Sequence, residues 1–504
     1  MSGAAVPPGA WTSLGDLAGF ADRVWTRVED GARFCGLFAT PTPTGTRLLA
    51  VVSHGGGLGT ERAEVPSAHV RYPSLTPRIA AAGWYEQEIH DLFGLEAVGH
   101  GRLDPLVLPV APGSPRPRPG SGEPVGPVEL DTGPLPSHLR GEGVFTIPYG
   151  PVRSGVFESV EYLVETPGED IPHVRARMFH KHRGIEVRFQ GMTPSDGVLL
   201  AERCEGVASV AHAVAYCSAV EAIAGAEISD AAGLVRVLHA ELERIANHLD
   251  SVVRHAEAAG QAVAYARLTF HKERVQRLRS QLCGSRFGRG VVVPGGVSGR
   301  PALEGDAALA AVDVIDRELR DDLRLLMATP SFIDRLRTTG VIPPDVARPF
   351  GALGPVGRGS GQMDDARIDR PYAAYGQLGL GLLDVRVEGD ALARQNVRLE
   401  EISAAFHLVR QAIDRLGSAP AGDSPWAVPI DPGIDGEAIG WAEAPQGEVL
   451  YTVAVEGGRM TRVKPRSASF HNLGLFQLAF PKDVLTDFAF IEASFGLSIA
   501  GVAG

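Results

Sequence analysis

The chain has 504 residues, of which 44% are hydrophobic and 21% are charged, and its formal net charge is −12. This charge offers nothing to a nucleic-acid backbone or an anionic membrane surface, so no nucleic-acid partner is expected. The four cysteines lie far apart and form no C-x-x-C pair, which argues against structural zinc and fits reduced thiols in a cytoplasm. The N-terminus lacks a signal-peptide pattern, and no apolar run reaches the roughly 18 residues of a membrane helix. Any role at a membrane is expected to depend on a partner.

Residues 1–110 have the pattern of a small α+β domain. The spacing of apolar residues predicts a helix over Trp11–Val28, and two β-like runs, Cys35–Thr40 and Arg47–Ser53, flank a Pro/Gly turn. Farther on, Glu86, Glu88, His90 and Asp91 crowd one short helix. A metal site is one hypothesis for them, but alternating carboxylates on an exposed helix are more often a solvated or docking face.

Residues 111–142 are rich in proline and glycine and predict a linker. A second domain, residues 143–504, begins with predicted strands on either side of a turn at Pro167–Gly168. His180 and His182 alternate along the continuation of this sheet and would share a face. They predict either a solvent-facing basic strand or part of a metal site, which would need further ligands.

The stretch Leu199–Gly225 is apolar or small almost throughout and predicts one buried helix. Its start carries Glu202, Arg203 and Glu205. Two interpretations remain open. The carboxylates suit the positive end of a core helix, or they form the floor of a pocket.

Long amphipathic patterns follow, and they predict a helical bundle with small sheets attached. The predicted helices span Gly233–His255, Ala264–Cys283 and Asp306–Met327, with a further apolar stripe from Ile402 to Leu416. The overall class is α+β, with a small N-terminal α+β domain, a linker, and a large, mainly helical domain.

A glycine-rich loop, Gly351–Tyr375, carries Arg358, Asp365 and Arg367. Such a loop could cradle a phosphate, but it lacks the lysine and spacing of a P-loop. Ion pairs that wall an internal cavity are the favoured interpretation of these three residues.

The segment from Ser74 to His100 resembles the signature of the small peripheral-arm subunit of respiratory complex I, which is also found in group 4 hydrogenases. The match includes Ser74-Leu75-Thr76 and Asp91-Leu92-Phe93-Gly94. In that family the segment is a docking surface against the large subunit. The resemblance therefore implies docking roles for Trp84, Glu86, Glu88, Asp91 and Phe93.

The segment from Glu202 to His212 resembles the motif E-R-x-C-G-x-C-S-x-A-H of group 4 membrane-bound nickel–iron hydrogenases, of the formate hydrogenlyase large-subunit type, and their relative, the quinone-site subunit of complex I. The fold implied is that of a nickel–iron hydrogenase large subunit. In the hydrogenases two cysteines here and two near the C-terminus hold nickel and iron. The corresponding positions in this chain are Glu205, Ala208, Ser498 and Gly501, and Cys204 is one residue out of register. Because soft thiolate ligands are missing, the chain is predicted to bind no nickel–iron centre, and no other cofactor.

The complex I relatives also place a histidine and a tyrosine at the quinone head. The resemblance aligns Phe157 and Gly206 with these residues, and Arg153 with another histidine of the cavity. Neither Phe157 nor Gly206 could donate a proton to a quinone oxygen. A quinone therefore remains only a possible ligand.

Three functions are consistent with these observations. The first is a subunit of a complex I-like, hydrogenase-related oxidoreductase complex that couples electron transfer in iron–sulfur partners to ion translocation. The second is a non-catalytic scaffold of that complex, and the third is an NADH:quinone oxidoreductase-type subunit with atypical residues. The resemblance implies an iron–sulfur subunit and antiporter-like membrane subunits as partners, iron–sulfur clusters in those partners, and a peripheral position on the cytoplasmic side of the inner membrane. The residues expected to form a charged, proton-exchanging cavity are Glu202, Arg203, Glu205, Arg153, Arg358, Asp365 and Arg367.

Overall fold

The computed structural model describes residues 5–6, 14–133, 137–153, 159–303, 305–381, 383, 385–418 and 425–502. It has a mixed helix-and-sheet architecture. The α-helices are α1 Phe20–Glu29, α2 Gly83–Phe93, α3 Ile185–Arg188, α4 Pro194–Ala201, α5 Ser209–Ala224, α6 Asp230–Ala258, α7 Ala262–Cys283, α8 Gly305–Met327, α9 Pro330–Leu336, α10 Pro344–Phe350, α11 Gly354–Arg358, α12 Ala366–Asp369, α13 Ala391–Ser418, α14 Ala468–Phe476 and α15 Phe488–Phe495. The strands are β1 Ala5–Val6, β2 Leu14–Gly15, β3 Arg33–Thr42, β4 Gly45–His54, β5 Gly57–Pro66, β6 Arg71–Pro73, β7 Glu96–Val98, β8 Phe145–Tyr149, β9 Glu161–Thr166, β10 His173–Arg177, β11 Val292–Val293, β12 Gly296–Val297, β13 Gly436–Ala444, β14 Gly447–Glu456 and β15 Arg459–Arg466.

The N-terminal sheet has the strand order β2-β5-β4-β3. Strands β3 and β4 contain the two predicted β-like runs and extend beyond them. The predicted helix over Trp11–Val28 is wrong at its start, because Leu14–Gly15 pairs with β5 and α1 begins only at Phe20. Asp16 accepts a hydrogen bond from the Gly19 backbone N–H, which turns the chain into that helix. Residues 11–13 lie outside the described residues.

Most of the predicted linker, residues 111–142, is irregular and solvent-exposed. It nevertheless contacts the rest of the protein. Val110 and Leu130 form an isolated β-bridge, and the Arg118 N–H donates to the Leu92 carbonyl oxygen. The side chains of Pro117 and Pro119 are buried. The stretch therefore lies against the folded protein along part of its length.

The second sheet is antiparallel, with the order β10-β9-β8. Strand β10 ends at Arg177, which pairs with Glu161, the first residue of β9. The chain leaves the strand after Arg177, and Phe179–Lys181 forms a 3₁₀ turn. The predicted strand through His180 and His182 is therefore wrong.

The predicted helix over Leu199–Gly225 is two helices, α4 and α5, separated by an irregular segment at residues 202–208. Pro194 and the Thr193 side-chain cap start α4. The first backbone N–H groups of α5, from Val210 and Ala211, donate to the carboxylate of Glu243 on α6. The positive end of α5 is thus neutralised from another helix, and its burial is as predicted.

Helix α5 packs on the C-terminal sheet, whose order is β1-β13-β14-β15. The approach is close at Gly440, where a Cβ would lie 2.1 Å from the Ala215 carbonyl oxygen. Helix α5 also contacts α6, which packs in one bundle with the other long helices, α7, α8 and α13. All four lie where the apolar periodicity predicts them. Among the described residues, none of the helices combines the length and apolarity needed to cross a bilayer.

Candidate functional site

The two chain segments that carry the positions of the hydrogenase metal ligands meet at the carboxylate of Glu205. Glu205 lies in the irregular segment between α4 and α5, and it is buried. The Ser469 hydroxyl donates to Glu205 Oε1 over 2.6 Å and accepts from the Ser498 backbone N–H over 3.0 Å. A Cβ on Gly501 would lie 3.1 Å from Glu205 Oε2, and the Ala208 N–H donates to the Glu205 carbonyl oxygen. Glu205 occupies the first of the four positions. The other three lie close to its backbone carbonyl (Ala208), to the Ser469 hydroxyl that it binds (Ser498) and to its carboxylate (Gly501).

A histidine and a tyrosine complete this site. His212 Nε2 lies 3.1 Å from Glu205 Oε2, and His212 Nδ1 lies 2.8 Å from the Tyr451 hydroxyl oxygen. Burial alone would lower the pKa of His212, but hydrogen bonds to Cys204 and Glu205 raise that pKa to about 9. At neutral pH the imidazolium therefore donates to the Glu205 carboxylate and to the Tyr451 oxygen. Loss of the His212 proton would leave the Glu205 carboxylate without its buried counter-charge, so the protonation of His212 and the charge of Glu205 depend on each other.

A small cavity of about 20 Å³ adjoins His212 and Gly501. It has room for about one water molecule. Lys464 lines its far side, with its ammonium 2.6 Å from Glu88 Oε1 and 2.7 Å from Glu186 Oε1. The cavity therefore separates the Glu205–His212 pair from a second group of buried charges.

A second, larger cavity of about 200 Å³ is lined in part by Ser498. Both apolar and polar side chains line it. The residues include Tyr162, Phe476, Leu497, Asn247, Asp250 and Glu492.

Glu202 and Arg203 lie apart from Glu205. The Glu202 carboxylate is buried and accepts a hydrogen bond from the Gly290 N–H, and burial raises the pKa of this carboxyl group. Arg203 points outward with its side chain 52% exposed, and its Nη1 lies 3.8 Å from Glu202 Oε2. The Arg203 side chain is thus at the protein surface, whereas Glu202 is buried beside Gly290.

Arg153 pairs with Glu492 rather than with Glu205. Its guanidinium donates to both Glu492 oxygens, over 2.7 and 3.0 Å, and lies about equally far from the rings of Tyr149 and Tyr162. Glu492 borders the 200 Å³ cavity, so Arg153 lies at the edge of that cavity. Phe157 lies outside the described residues.

Arg358, Asp365 and Arg367 belong to a separate buried cluster. Asp365 bridges the two guanidiniums, over 3.3 Å to Arg358 and 2.7 Å to Arg367. Arg358 also pairs with Glu401 on α13. These are the predicted ion pairs, but none of the contacts described for them reaches Glu205. The seven expected cavity residues are therefore distributed over several places.

Helix α2 carries the residues expected to dock, and its carboxylates are buried rather than solvated. Glu86 accepts from the Ser74 and Thr76 hydroxyls and the Leu75 N–H. Asp91 Oδ2 accepts from three consecutive backbone N–H groups, those of residues 106–108. Glu86 therefore holds residues 74–76 in place, and Asp91 holds residues 106–108.

The other residues of this set face β15 and α14. Glu88 pairs with Lys464 on β15, and the Trp84 ring packs edge-on against Phe470, with centroids 6.0 Å apart. Phe93 lies beneath the guanidinium of Arg462, also on β15. These contacts join α2 to β15 and α14 within one chain.

Family models match three parts of the chain. Residues 259–432 match the profile of the respiratory-chain NADH dehydrogenase 49-kDa subunit, residues 56–115 that of its 30-kDa subunit, and residues 183–253 that of nickel-dependent hydrogenase. The carbon monoxide-induced hydrogenase of Rhodospirillum rubrum is 31% identical over 65% of this chain and 90% of that protein. The chain belongs to this family of complex I and hydrogenase subunits.

Two further relatives extend the comparison. Formate hydrogenlyase subunit 5 of Escherichia coli is 27% identical over 82% of this chain and 73% of that protein. A chain of the membrane-bound sulfane sulfur reductase, described as an archaeal respiratory membrane complex, superimposes with a TM-score of 0.66 and 25% identity. That match covers 72% of this chain and 99% of the other.

The residues present do not fit the nickel–iron group of the hydrogenases in this family. A carboxylate, a methyl group, a hydroxyl and a hydrogen occupy the four ligand positions, and none is the soft thiolate donor that such a centre needs. The Glu205 oxygens already contact Ser469 and His212. No step of the chemistry below passes through such a metal centre.

His212, Ser469 and Tyr451 were not among the predicted site residues. His212 does lie in a segment that resembles the family, and this was the available signal for it. Ser469 lies 264 positions from Glu205. Tyr451 gave no signal, because it lies 239 positions from His212 on a strand of ordinary composition. Lys464 likewise reaches Glu88 across 376 positions.

Proposed function

We propose that this chain is the catalytic-arm subunit of a complex I-like, hydrogenase-related membrane oxidoreductase complex and has no nickel–iron centre of its own. Electron transfer in iron–sulfur partner subunits is coupled to ion translocation in antiporter-like membrane subunits through protonation changes at Glu205 and His212. The observation that carries the proposal is the hydrogen bonding of Glu205 to His212 and Ser469 at the position of the first metal ligand.

Electrostatics supplies the coupling. One added electron about 10 Å away, at an effective dielectric constant near 20, changes the energy of a charged group by about 1.7 kcal/mol, or roughly one pKa unit. Reduction of a neighbouring cluster therefore raises the proton affinity of the Glu205–His212 pair, and oxidation lowers it. The water-sized cavity beside His212 gives the proton a path toward Lys464 and Glu88.

The proposal includes an arrangement in three parts. Residues 1–110 are the part similar to the small peripheral-arm subunit, residues 111–142 the linker, and residues 143–504 the part similar to the hydrogenase large subunit. The chain is peripheral, on the cytoplasmic side of the inner membrane, and its partners hold the iron–sulfur clusters. Support comes from the relatives, whose complexes include an archaeal respiratory membrane complex.

A quinone-reducing role is the second candidate, and the 200 Å³ cavity beside Ser498 favours it. The cavity joins an aromatic wall, formed in part by Tyr162 and Phe476, to polar groups at Asn247 and Glu492. A small planar ligand with polar oxygens suits such a surface. A purified complex that reduces soluble quinone analogues would support this role.

Replacing Glu205 by glutamine tests the first proposal against a purely structural role. Glu205→Gln keeps the shape but removes the charge that holds the His212 proton. The expected result is an assembled complex with electron transfer reduced about 100-fold or more, since a positioned acid–base group contributes typically 10²–10⁴. Glu202→Gln is the matched control and should remain near wild type, because Glu202 lies outside the pair.

Two outcomes would contradict the proposal. Full activity of the assembled Glu205→Gln complex would favour a scaffold. Stoichiometric nickel in the purified complex would show that the chain holds a metal after all.

A further inference from the structure

Two buried glutamates face each other at one end of the C-terminal sheet. Glu443 near the end of β13 and Glu448 near the start of β14 are direct partners in the antiparallel register. Each is only 2% exposed. Like charges in directly opposite positions destabilise a sheet, and burial increases the penalty, so each carboxylate needs a cation or a proton.

Three guanidiniums contact the single carboxylate of Glu448. Its carboxylate pairs with Arg33 over 3.0 Å, with Arg466 over 2.5 Å, and with Arg370. Burial would raise the pKa of Glu448, but these three guanidiniums hold it far below its ordinary value. Glu448 is therefore ionised at neutral pH.

Glu443 has much less support. Its Oε1 lies 3.3 Å from Arg358 Nη1, and its Oε2 accepts from the Ala366 N–H over 3.1 Å. Arg358 is shared, because it also pairs with Glu401 over 2.8 Å and with Asp365 over 3.3 Å. Burial, followed by the charge of Asp365, raises the pKa of Glu443 to about 7.

The charges of the whole cluster explain this difference. Four carboxylates share three guanidiniums, and all seven side chains are at most 2% exposed. The cluster consists of Glu241, Asp365, Glu401, Glu443, Arg244, Arg358 and Arg367. His248 on α6 contacts Glu401, but burial lowers the pKa of His248 to about 4, so it adds no positive charge.

Apart from Arg358, no cation among the described residues forms an ion pair with Glu443, and Arg398 interacts electrostatically with Glu401. The Tyr372 hydroxyl accepts from the Glu443 backbone N–H, and burial raises the pKa of Tyr372. The next guanidinium along α13, Arg398, donates to the carbonyl oxygens of Arg394 and Phe495. No ion pair between Arg398 and these carboxylates occurs in the described part of the chain. One carboxyl of the cluster is therefore left to bind a proton, and Glu443 has the weakest contacts.

Solvent comes close to this cluster from one side. A cleft of about 1,060 Å³ lies between the N-terminal sheet and residues 344–369, and Asp364 and Asp369 line it. Asp369 accepts a hydrogen bond from the Asp365 N–H, and Arg358 donates to the Asp364 carbonyl oxygen. Asp365 of the cluster thus directly follows Asp364, which lines the solvent-accessible cleft.

We propose that Glu443 is a second proton-binding site of this chain, separate from the Glu205–His212 pair, and that it exchanges one proton with the cleft near neutral pH. Protonation converts Glu443 from a carboxylate to a neutral acid and brings the cluster to three negative and three positive charges. This inference goes beyond the proposed function and does not depend on it.

Infrared spectroscopy of the complete purified complex tests the proposal, because a protonated buried carboxyl has its own carbonyl stretching band. Between about pH 6 and about pH 8 the wild-type complex should lose one such band, as expected for a group that titrates near 7. Glu443→Gln should lack this titration. Glu448→Gln, the cross-strand control, should retain it.

A second variant tests the charge balance itself. Asp365→Asn removes the neighbouring negative charge, so the titration of Glu443 should move to lower pH. A persistent titration in Glu443→Gln, or its absence from wild type, would overturn the proposal. So would its loss from an assembled Glu448→Gln complex, or an unshifted titration in Asp365→Asn. If Glu448→Gln does not assemble, the comparison of Glu443→Gln with Asp365→Asn still tests whether Glu443 binds the proton.

Discussion

His212 and Glu205 form a buried pair, with His212 Nε2 3.1 Å from Glu205 Oε2 and each side chain 1% exposed. The resemblance to the hydrogenases assigns a metal ligand to the Glu205 position. Here the same pocket is filled by a charge pair whose members need each other, because either charge alone would be costly to bury. Its consequences can be measured in both stability and activity.

The first prediction concerns stability and pH. The pKa of His212 is raised to about 9 in the folded protein, against about 6.5 in an unfolded chain. Its stabilising contribution is therefore complete below about pH 6.5 and is lost as the pH rises through about 9. The full effect is roughly 3 kcal/mol. Thermal unfolding of wild type should show this loss, and His212→Gln should not; an equal decline in both would contradict the assignment.

The second prediction concerns Gly501, one of the former ligand positions. A Cβ there would lie 2.5 Å from the Ser467 Oγ and 3.1 Å from the Glu205 carboxylate. Gly501→Ala should destabilise the protein by about 1–3 kcal/mol, as overpacking of a filled core does. Gly299→Ala is the matched control, since nothing lies within 4 Å of its added methyl group. Denaturant unfolding measures both, and a neutral Gly501→Ala would show that the site is open.

The third prediction concerns the contact between α2 and β15. Lys464→Met leaves Glu88 and Glu186 buried near each other, with only Arg462 to compensate. Removing one partner of a buried ion pair costs about 3–5 kcal/mol. The exposed pair Arg71–Glu96 provides the comparison, and Arg71→Met should cost less than about 1 kcal/mol. Equal effects of the two changes on the unfolding free energy would refute this role of Lys464.

The fourth prediction concerns the start of α5. Glu243 accepts from the Val210 and Ala211 N–H groups and lies 3.6 Å from Arg279. Glu243→Gln removes the charge at the positive helix end and one acceptor oxygen, and it should cost about 1–3 kcal/mol. The half-exposed Glu318 is the control, and Glu318→Gln should change stability little. Hydrogen exchange at the first residues of α5 should rise only in Glu243→Gln.

The sequence alone indicated the long helices, because an apolar stripe that repeats every three to four residues leaves few alternatives. It also determined the residue types at the four positions that the resemblance assigns to metal ligands, since these depend only on residue identity. The start of α5 was misplaced. A run of small and apolar residues does not show where a helix is interrupted, and the cap on α5 comes from Glu243 on another helix.

Tertiary structure decided which charges meet. The sequence predicts Glu205 and Arg358 in one charged cavity, yet they belong to separate clusters. Tyr451 reaches His212 across 239 positions, and Glu443 is left short of cations because Arg358 is shared with Glu401 and Asp365. Charge pairing depends on distances of a few ångströms between segments far apart in the chain. Local sequence patterns contain no information about such distances, so only the folded arrangement could show which acids lie beside cations and which share one.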